Sequence, residues 1–340
     1  MSERRKFRVK GLVALFFVSL MLVAVLTSMC EAQEPLVLKF SYGPPATGIQ
    51  GRGYEFFAKA VNEETKGQVQ IKTFPAGSLI PDHDILDAVL KGTVDLGHYF
   101  VAWLSPTMKE LTPLEVPGCY PGNRYLELDK VLRPVVEKIF AKYEIKYLGL
   151  DDIGTLTFLG TKQFGKLVIK PEDLKGHTMR TPGKWGGEAI KMWGGSPVTV
   201  TLRDLPIALG RGTVDVGYIG WQLAGALKLQ ESAPYITDSG MPEMFRGIMM
   251  SNKAWKSLSQ SQQEAVQRAV KRWMDFNIQN GSDMYKQFEQ DVKAAGGTFY
   301  HLTKDETEQF RKVRETLWER IMPDAGALGK ELIEAMRTLK

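Results

Sequence analysis

The sequence predicts a two-lobed α/β protein, and three observations carry that prediction. The phrase KGTVDLG at residues 91–97 returns almost unchanged as RGTVDVG at residues 211–217. Each copy closes a run of segments patterned β-α-β-α-β, the order that builds a mainly parallel sheet flanked by helices, with right-handed crossovers. Beyond the first 32 positions about 300 residues remain, more than one hydrophobic core comfortably organises.

The N-terminus has the layout of a secretory signal peptide. Arg4, Arg5, Lys6, Arg8 and Lys10 precede an uncharged apolar run from Gly11 to Leu26, and small residues lead to an expected cleavage after Ala32. The run is short for a membrane span, so an uncleaved anchor is the weaker alternative. Met29 is bulky where a lipidated Cys30 would need a small predecessor. Five basic and two acidic residues lie in this leader, so the rest of the chain carries only +2 of the formal +5 charge. No basic stripe interleaved with aromatics remains, and nucleic acid is not an expected partner. The expected product is periplasmic.

Leu36–Phe40 reads as a buried strand, followed by the loop SYGPPATGIQGRG and a helix, YEFFAKAVNEETKG, that stops at Gly67. Val69–Phe74 alternates like a strand. Asp84–Lys91 has helical spacing and ends at Gly92, a good left-handed stop, before a strand at Thr93–Gly97. The second half repeats this order: strand His177–Arg180, turn TPGKWGG, helix through Glu188–Trp193, and strand Pro197–Thr201. A helix, LPIALG, then stops at Gly212, and the strand Thr213–Gly217 closes the unit. Further on, Ser259 with Gln262 and Thr303 with Glu306 form capping boxes for two helical stretches. The first carries the apolar stripe Ala265, Val266, Ala269, Val270, Trp273, Phe276; the second carries Phe310, Val313, Leu317, Ile321. These long C-terminal helices are expected to brace the lobes.

Motifs for chemistry are absent. GIQGRG is spaced G-x-x-G-x-G, not as a dinucleotide loop, and there is no P-loop, G-x-S-x-G or H-E-x-x-H. His83, His98, His177 and His301 lack metal-ligand spacing, so neither metal nor cofactor is expected. Cys119, the one cysteine beyond the leader, sits in the turn-rich VPGCYPGN and reads as a structural thiol. Asp151-Asp152 could supply a general base, but adjacent carboxylates are usually a solvated turn.

Ligands of open parallel sheets bind outside the carboxyl ends of the strands. In the first half those ends present Tyr42, Phe74, His98, Tyr99 and Phe100; in the second, Arg180, Thr201, Tyr218 and Trp221. Arg180 carries the most weight, because its planar fork grips a carboxylate bidentately and it precedes a Pro-Gly turn and a helix start. Trp185 and Trp193 on that helix could be ligand platforms or core anchors.

The ordered set LKFSYGPP, AGSL, GTVDLG, IKPEDLKGHTMRTPG, WGGSPVTV, RGTVDVG and SNKAWKSLSQSQQEAVQRA resembles the DctP-type extracytoplasmic solute-binding proteins of TRAP transporters. The resemblance spans nearly all of the chain after the leader. It implies a two-lobed periplasmic-binding-protein fold that captures an organic acid by hinge closure. The captured acid would pass to a permease of small and large membrane subunits. It places the first lobe at 34–158 plus about 246–285, and the second at 159–245 plus about 286–340. The family's carboxylate-clamping arginine falls on Arg180. Two departures stand out: Ile219 occupies the place of a ligand-touching Asn, and an upstream arginine has no counterpart in TLTFL at 155–159. Both remove polar contacts, which points to a monocarboxylate with an apolar or aromatic remainder. A sensor using the same closure is the alternative; an enzyme would need a paired nucleophile and base that the sequence does not offer.

Overall fold

The computed structural model describes residues 34–122, 124–151, 154–181, 183–243 and 245–339. The expected signal peptide and Asp152 lie outside the described residues.

The first sheet opens with β1 (Leu36–Ser41), helix α1 (Ile49–Glu64), β2 (Val69–Phe74), helix α2 (Ile85–Leu90) and β3 (Leu96–Phe100). Short α3 (Val101–Leu104), a 3-10 stretch at 109–115, α4 (Tyr125–Lys142) and β4 (Ile145–Leu150) follow. The chain then crosses to the second sheet: β5 (Thr155–Gly160), β6 (Thr178–Arg180), α5 (Lys184–Met192), β7 (Ser196–Val198), α6 (Leu205–Arg211), β8 (Val216–Gly220), α7 (Trp221–Ala226) and β9 (Tyr235–Pro242). It returns as β10 (Arg246–Ser251) and α8 (Asn252–Ser257). The C-terminal part holds α9 (Gln260–Ala294), β11 (Thr298–His301), α10 (Lys304–Arg311) and α11 (Val313–Thr338).

Strand order is β2-β1-β3-β10-β4 in one sheet and β11-β9-β5-β8-β6-β7 in the other. The expected parallel pairing holds within the repeated units, for β1 with β3 and for β6 with β7 and β8. As wholes, however, the sheets are mixed rather than mainly parallel. The strands next to the crossings run against their neighbours: β10 is antiparallel to β3 and β4, and β5 to β8 and β9. A chain that leaves one sheet and re-enters it from the other arrives in the opposite direction, which a reading of local β-α-β order does not capture.

The repeated phrase does the same work twice. Gly92 and Gly212 both end a helix with left-handed backbone, at φ 70° and 68°, where only glycine is free of strain. Val94 and Val214 are buried. Asp95 accepts the Lys39 amide at 2.7 Å and returns its own amide to the Lys39 carbonyl at 3.0 Å; Asp215 does both with Thr178, at 2.8 and 3.0 Å. Thr-Val-Asp is therefore a clamp onto the neighbouring strand. For that reason β3 and β8 begin three residues later than the sequence suggested, in both halves.

The long helices hold the two sheets together. The capping boxes at Ser259/Gln262 and Thr303/Glu306 are both formed. In its N-terminal half α9 buries Trp273 against Tyr54 and Phe57 and stacks Phe276 on Phe56 at 4.2 Å. In its C-terminal half it buries Phe288 and Val292 in the cluster under the second sheet, with Leu159, Ile236 and Trp221. Each such aromatic contributes roughly 1.5–3 kcal/mol by burial. Helix α11 packs on the 109–115 stretch, α4 and α5, and bends at Gly326, where φ is 65°. Cys119 is buried, with its thiol pushed up to about 12 by burial, as a structural cysteine should be.

Candidate functional site

Arg180 ends β6 and is buried at 8% exposure, unlike a solvated surface arginine. Its Nη1 donates to the Tyr218 carbonyl at 3.1 Å and its Nε makes a longer contact, 3.5 Å, to the Val200 carbonyl. Those two carbonyls fix the guanidinium without neutralising it, and burial lowers its pKa against the pull of Glu243. Glu243 lies where the chain leaves β9, close against β8: a Cβ on Gly220 would fall 2.3 Å from its carboxylate. Burial raises the Glu243 pKa, while the Arg246 and Arg180 guanidiniums and the Gly220 amide draw it down.

Arg246 is a second buried guanidinium that the sequence reading missed. It begins β10, 3% exposed, with Nε 3.2 Å from Asp151 Oδ2. Tyr54 donates to Asp151 Oδ2 at 3.3 Å and Asn277 donates to Oδ1 at 2.6 Å. Asp151 is thus no solvated turn. It gathers the start of one crossing, the end of the other (Arg246) and the long helix (Asn277), and burial raises its pKa despite these partners. Arg246 also lies over the Phe100 ring at 5.4 Å, a cation–π distance. With the Gln50 amide oxygen turned to Arg246 it accepts from Nη1 at 3.2 Å and Nη2 at 3.3 Å, an orientation assigned from the network. The Gln50 amide sits 2.9 Å from that of Gln222 on α7, so the two halves meet there. A guanidinium thus comes from each half, with the Glu243 carboxyl close to both.

The other expected site residues divide sharply. His98 and Phe100 share one face of β3, and both lie near Arg246: its charge lowers the His98 pKa and its guanidinium covers Phe100. Tyr99 points the other way, as strand alternation requires, into a core of Phe140, Tyr147 and Phe245. Tyr218 is likewise a correction: its ring stacks on Phe158 at 5.1 Å and meets Trp193, and only its carbonyl serves Arg180. Tyr42 is fully buried between Phe40 and Tyr54, its hydroxyl bonded to Glu55. The later starts of β3 and β8 carry Tyr99 and Tyr218 within the strands rather than past their ends, and Tyr42 follows β1 into the core. Phe74 is half-buried beside Lys72, and Trp185 is half-buried under Lys184. Thr201 is exposed, and its hydroxyl donates to Asp204 Oδ2 at 2.7 Å. Trp193 is a core anchor whose Nε1 donates to the Phe310 carbonyl.

Trp221 is buried against Tyr285 and Phe288 and lines a cavity of about 510 Å³, with Arg124, Glu127, Ser282 and Tyr285. That volume suits a small molecule. Its polar lining is self-paired in part, Arg124 with Glu127 and Tyr285 with Asp238, and Arg180 is not part of it. Among the described residues no group of three or more His, Cys, Asp or Glu side chains could hold a metal ion.

Two mixed sheets, joined by crossing strands and a shared helix and carrying inward-facing charges where they meet, define a two-lobed solute-binding fold. The chain belongs to the bacterial extracellular solute-binding protein family 7, DctP, whose model matches residues 40–324. It is a DctP-type TRAP solute-binding protein. It is 29% identical over 225 residues to the monocarboxylate 2-oxoacid-binding periplasmic protein all3028 of Nostoc, covering 64% of this chain and 60% of that one. It is 24% identical over 315 residues to the C4-dicarboxylate-binding protein DctB of Bacillus subtilis, covering 91% and 87%. Its fold matches the crystal structure of a TRAP periplasmic solute-binding protein from Ochrobactrum anthropi at a TM-score of 0.80, with 22% identity and 90% and 96% coverage.

Proposed function

We propose that this chain is the receptor of a TRAP transporter for an organic monocarboxylate with an apolar or aromatic remainder. In this reading residues 1–32 direct export to the periplasm and are removed after Ala32. The first lobe comprises the first sheet with α1–α4, and the second lobe the second sheet with α5–α7. The crossings near Asp151 and Arg246 are the hinge, with α9 spanning both lobes. The solute's carboxylate binds Arg180, whose buried guanidinium has only backbone carbonyls as hydrogen-bond partners among the described residues. That observation carries the proposal: a buried guanidinium held in place by carbonyls keeps donors and charge for an anion.

A single carboxylate, rather than two, is supported by charge. Arg246 is already committed to Asp151, and the buried Glu243 carboxyl already lies close to both arginines. The name of the Nostoc relative points the same way, that of the Bacillus relative the other. Trp221, Phe100 and Trp185 supply the apolar surroundings. The receptor acts by population shift: a solute touching both lobes binds the closed form better than the open one, and the closed form engages the small and large permease subunits. No catalytic turnover is part of this reading. Mass spectrometry of the solute released from freshly purified, denatured protein tests it, with a monocarboxylic acid expected and a dicarboxylate or sugar acid counting against it.

A further inference from the structure

Beside Arg246, the first sheet carries a buried donor and a buried acceptor without hydrogen-bond partners among the described residues. His98 Nε2 and Asp82 Oδ1 stand 4.0 Å apart, too far for a hydrogen bond. Both atoms are buried, and among the described residues neither has a hydrogen-bond partner. His98 is 1% exposed. Its Nδ1 accepts the Gly43 amide at 3.3 Å, and on that bond the proton of the neutral ring is assigned to Nε2, the nitrogen 4.0 Å from Asp82 Oδ1. The ring is neutral at physiological pH: burial first, and Arg246 second, hold its pKa near 3, with the Ser41 carbonyl opposing. Asp82 is seated by its own packing, since a Cβ on Gly43 would fall 1.7 Å from Oδ1. Trp103 and Phe100 wall the pair, with Trp103 edge-on to His98 at 5.5 Å and Phe100 to Trp103 at 4.6 Å. Leaving a buried donor and a buried acceptor unpaired is costly, and an oxygen that both donates and accepts, a hydroxyl or a water, relieves both.

We propose that His98 and Asp82 form a hydroxyl subsite, which makes the transported solute a hydroxy acid. The ligand oxygen accepts from His98 Nε2–H and donates to Asp82 Oδ1. An oxygen about 2.8 Å from each of two atoms 4.0 Å apart subtends about 90° between them, an open geometry for one oxygen in both roles. A carbonyl oxygen would satisfy His98 but face Asp82 with a lone pair. An ammonium would satisfy Asp82 but meet the His98 N–H with another. Only a group that both donates and accepts serves the two together. This subsite rests on the receptor reading above, in which Arg180 holds the carboxylate of the same molecule.

Calorimetry with the mature full-length chain tests it on sets sharing one carbon skeleton. Suitable sets are mandelate, phenylacetate, phenylglycine and phenylglyoxylate; lactate, propionate, alanine and pyruvate; and 3-hydroxybutyrate with butyrate, 3-aminobutyrate and acetoacetate. In the set that binds best, the hydroxy member should bind at least about tenfold tighter than the other three, as expected for a hydrogen bond to a charged acceptor. Asp82→Ala should weaken that member roughly 10- to 100-fold and the deoxy member less than about threefold. Preference for a deoxy, oxo or amino acid overturns the subsite, as does failure of every hydroxy member to bind. Equal weakening of hydroxy and deoxy members by Asp82→Ala also overturns it. The matched sets need no variant, so misfolding of Asp82→Ala would not rescue the idea. Arg180→Ala is read separately: if it leaves affinity intact the carboxylate clamp fails, while hydroxyl preference in the unmodified protein still decides the subsite.

Discussion

Replacing Asp151 with alanine should strand a charge where the chain crosses between the lobes. Arg246, 3% exposed, would lose its carboxylate partner 3.2 Å away. Breaking one side of a buried ion pair costs about 3–5 kcal/mol. The Tyr54 hydroxyl and Asn277 amide would also lose their acceptor, each worth about 1–3 kcal/mol if left unpaired. Two facts hold the total toward the low end. Arg246 keeps the Gln50 amide and the Phe100 face, and the raised Asp151 pKa means burial outweighs its partners. About 3 kcal/mol is therefore expected, read as a lower urea midpoint with an unchanged m-value. Asp151→Ala combined with Arg246→Met should be less damaging than Asp151→Ala alone, because the uncompensated charge goes with its partner. A single variant within about 0.5 kcal/mol of the parent, or a double variant equal to the sum of the singles, would refute the hinge argument.

Gly92→Ala and Gly212→Ala should each cost about 1–2 kcal/mol in urea unfolding, since both force an L-residue into the left-handed region. The cost should be similar in the two halves, because the only added contact is at Gly212, 3.2 Å from the movable Gln163 side chain; a neutral effect at either position would refute the matched-stop reading. His301 sits between Asp238 at 3.6 Å and Glu289 at 3.4 Å, and its pKa is raised, chiefly by Asp238. A raised folded pKa means its stabilisation is complete below the unfolded value, about 6.5, and is lost as pH rises through the folded value. The stability gap between the protein and His301→Ala should accordingly be largest below about pH 6.5 and shrink as pH rises above it, and a gap that widens with pH would contradict this pairing.

The sequence made the repeated units readable because their signals are local. Gly92 and Gly212 stop helices, Val94 and Val214 enter the core, and the capping boxes at Ser259 and Thr303 need only three residues each. The place of Arg180 at the end of β6 was legible for the same reason, a strand ending before a turn. What failed was strand phase: Thr-Val-Asp looked like strand but is a clamp onto the next strand, which moved Tyr99 and Tyr218 into the core. The antiparallel strands β5 and β10 were illegible because their direction is set by long-range crossings. Arg246, Glu243, Asp82 and Asp151 were missed or misread because burial of a charged residue is a tertiary fact. PEMFRG around Arg246 looks like any surface loop, and nothing in IPDHD announces that Asp82 will face a buried imidazole.

The most direct test is a crystal structure of the protein with its co-purified solute, paired with calorimetry on Arg180→Ala. One carboxylate is expected on the Arg180 guanidinium between closed lobes, with a variant that folds normally but binds at least about a hundredfold more weakly. A solute carboxylate bound elsewhere, with Arg180 still held only by the Tyr218 and Val200 carbonyls and affinity unchanged in Arg180→Ala, would contradict it.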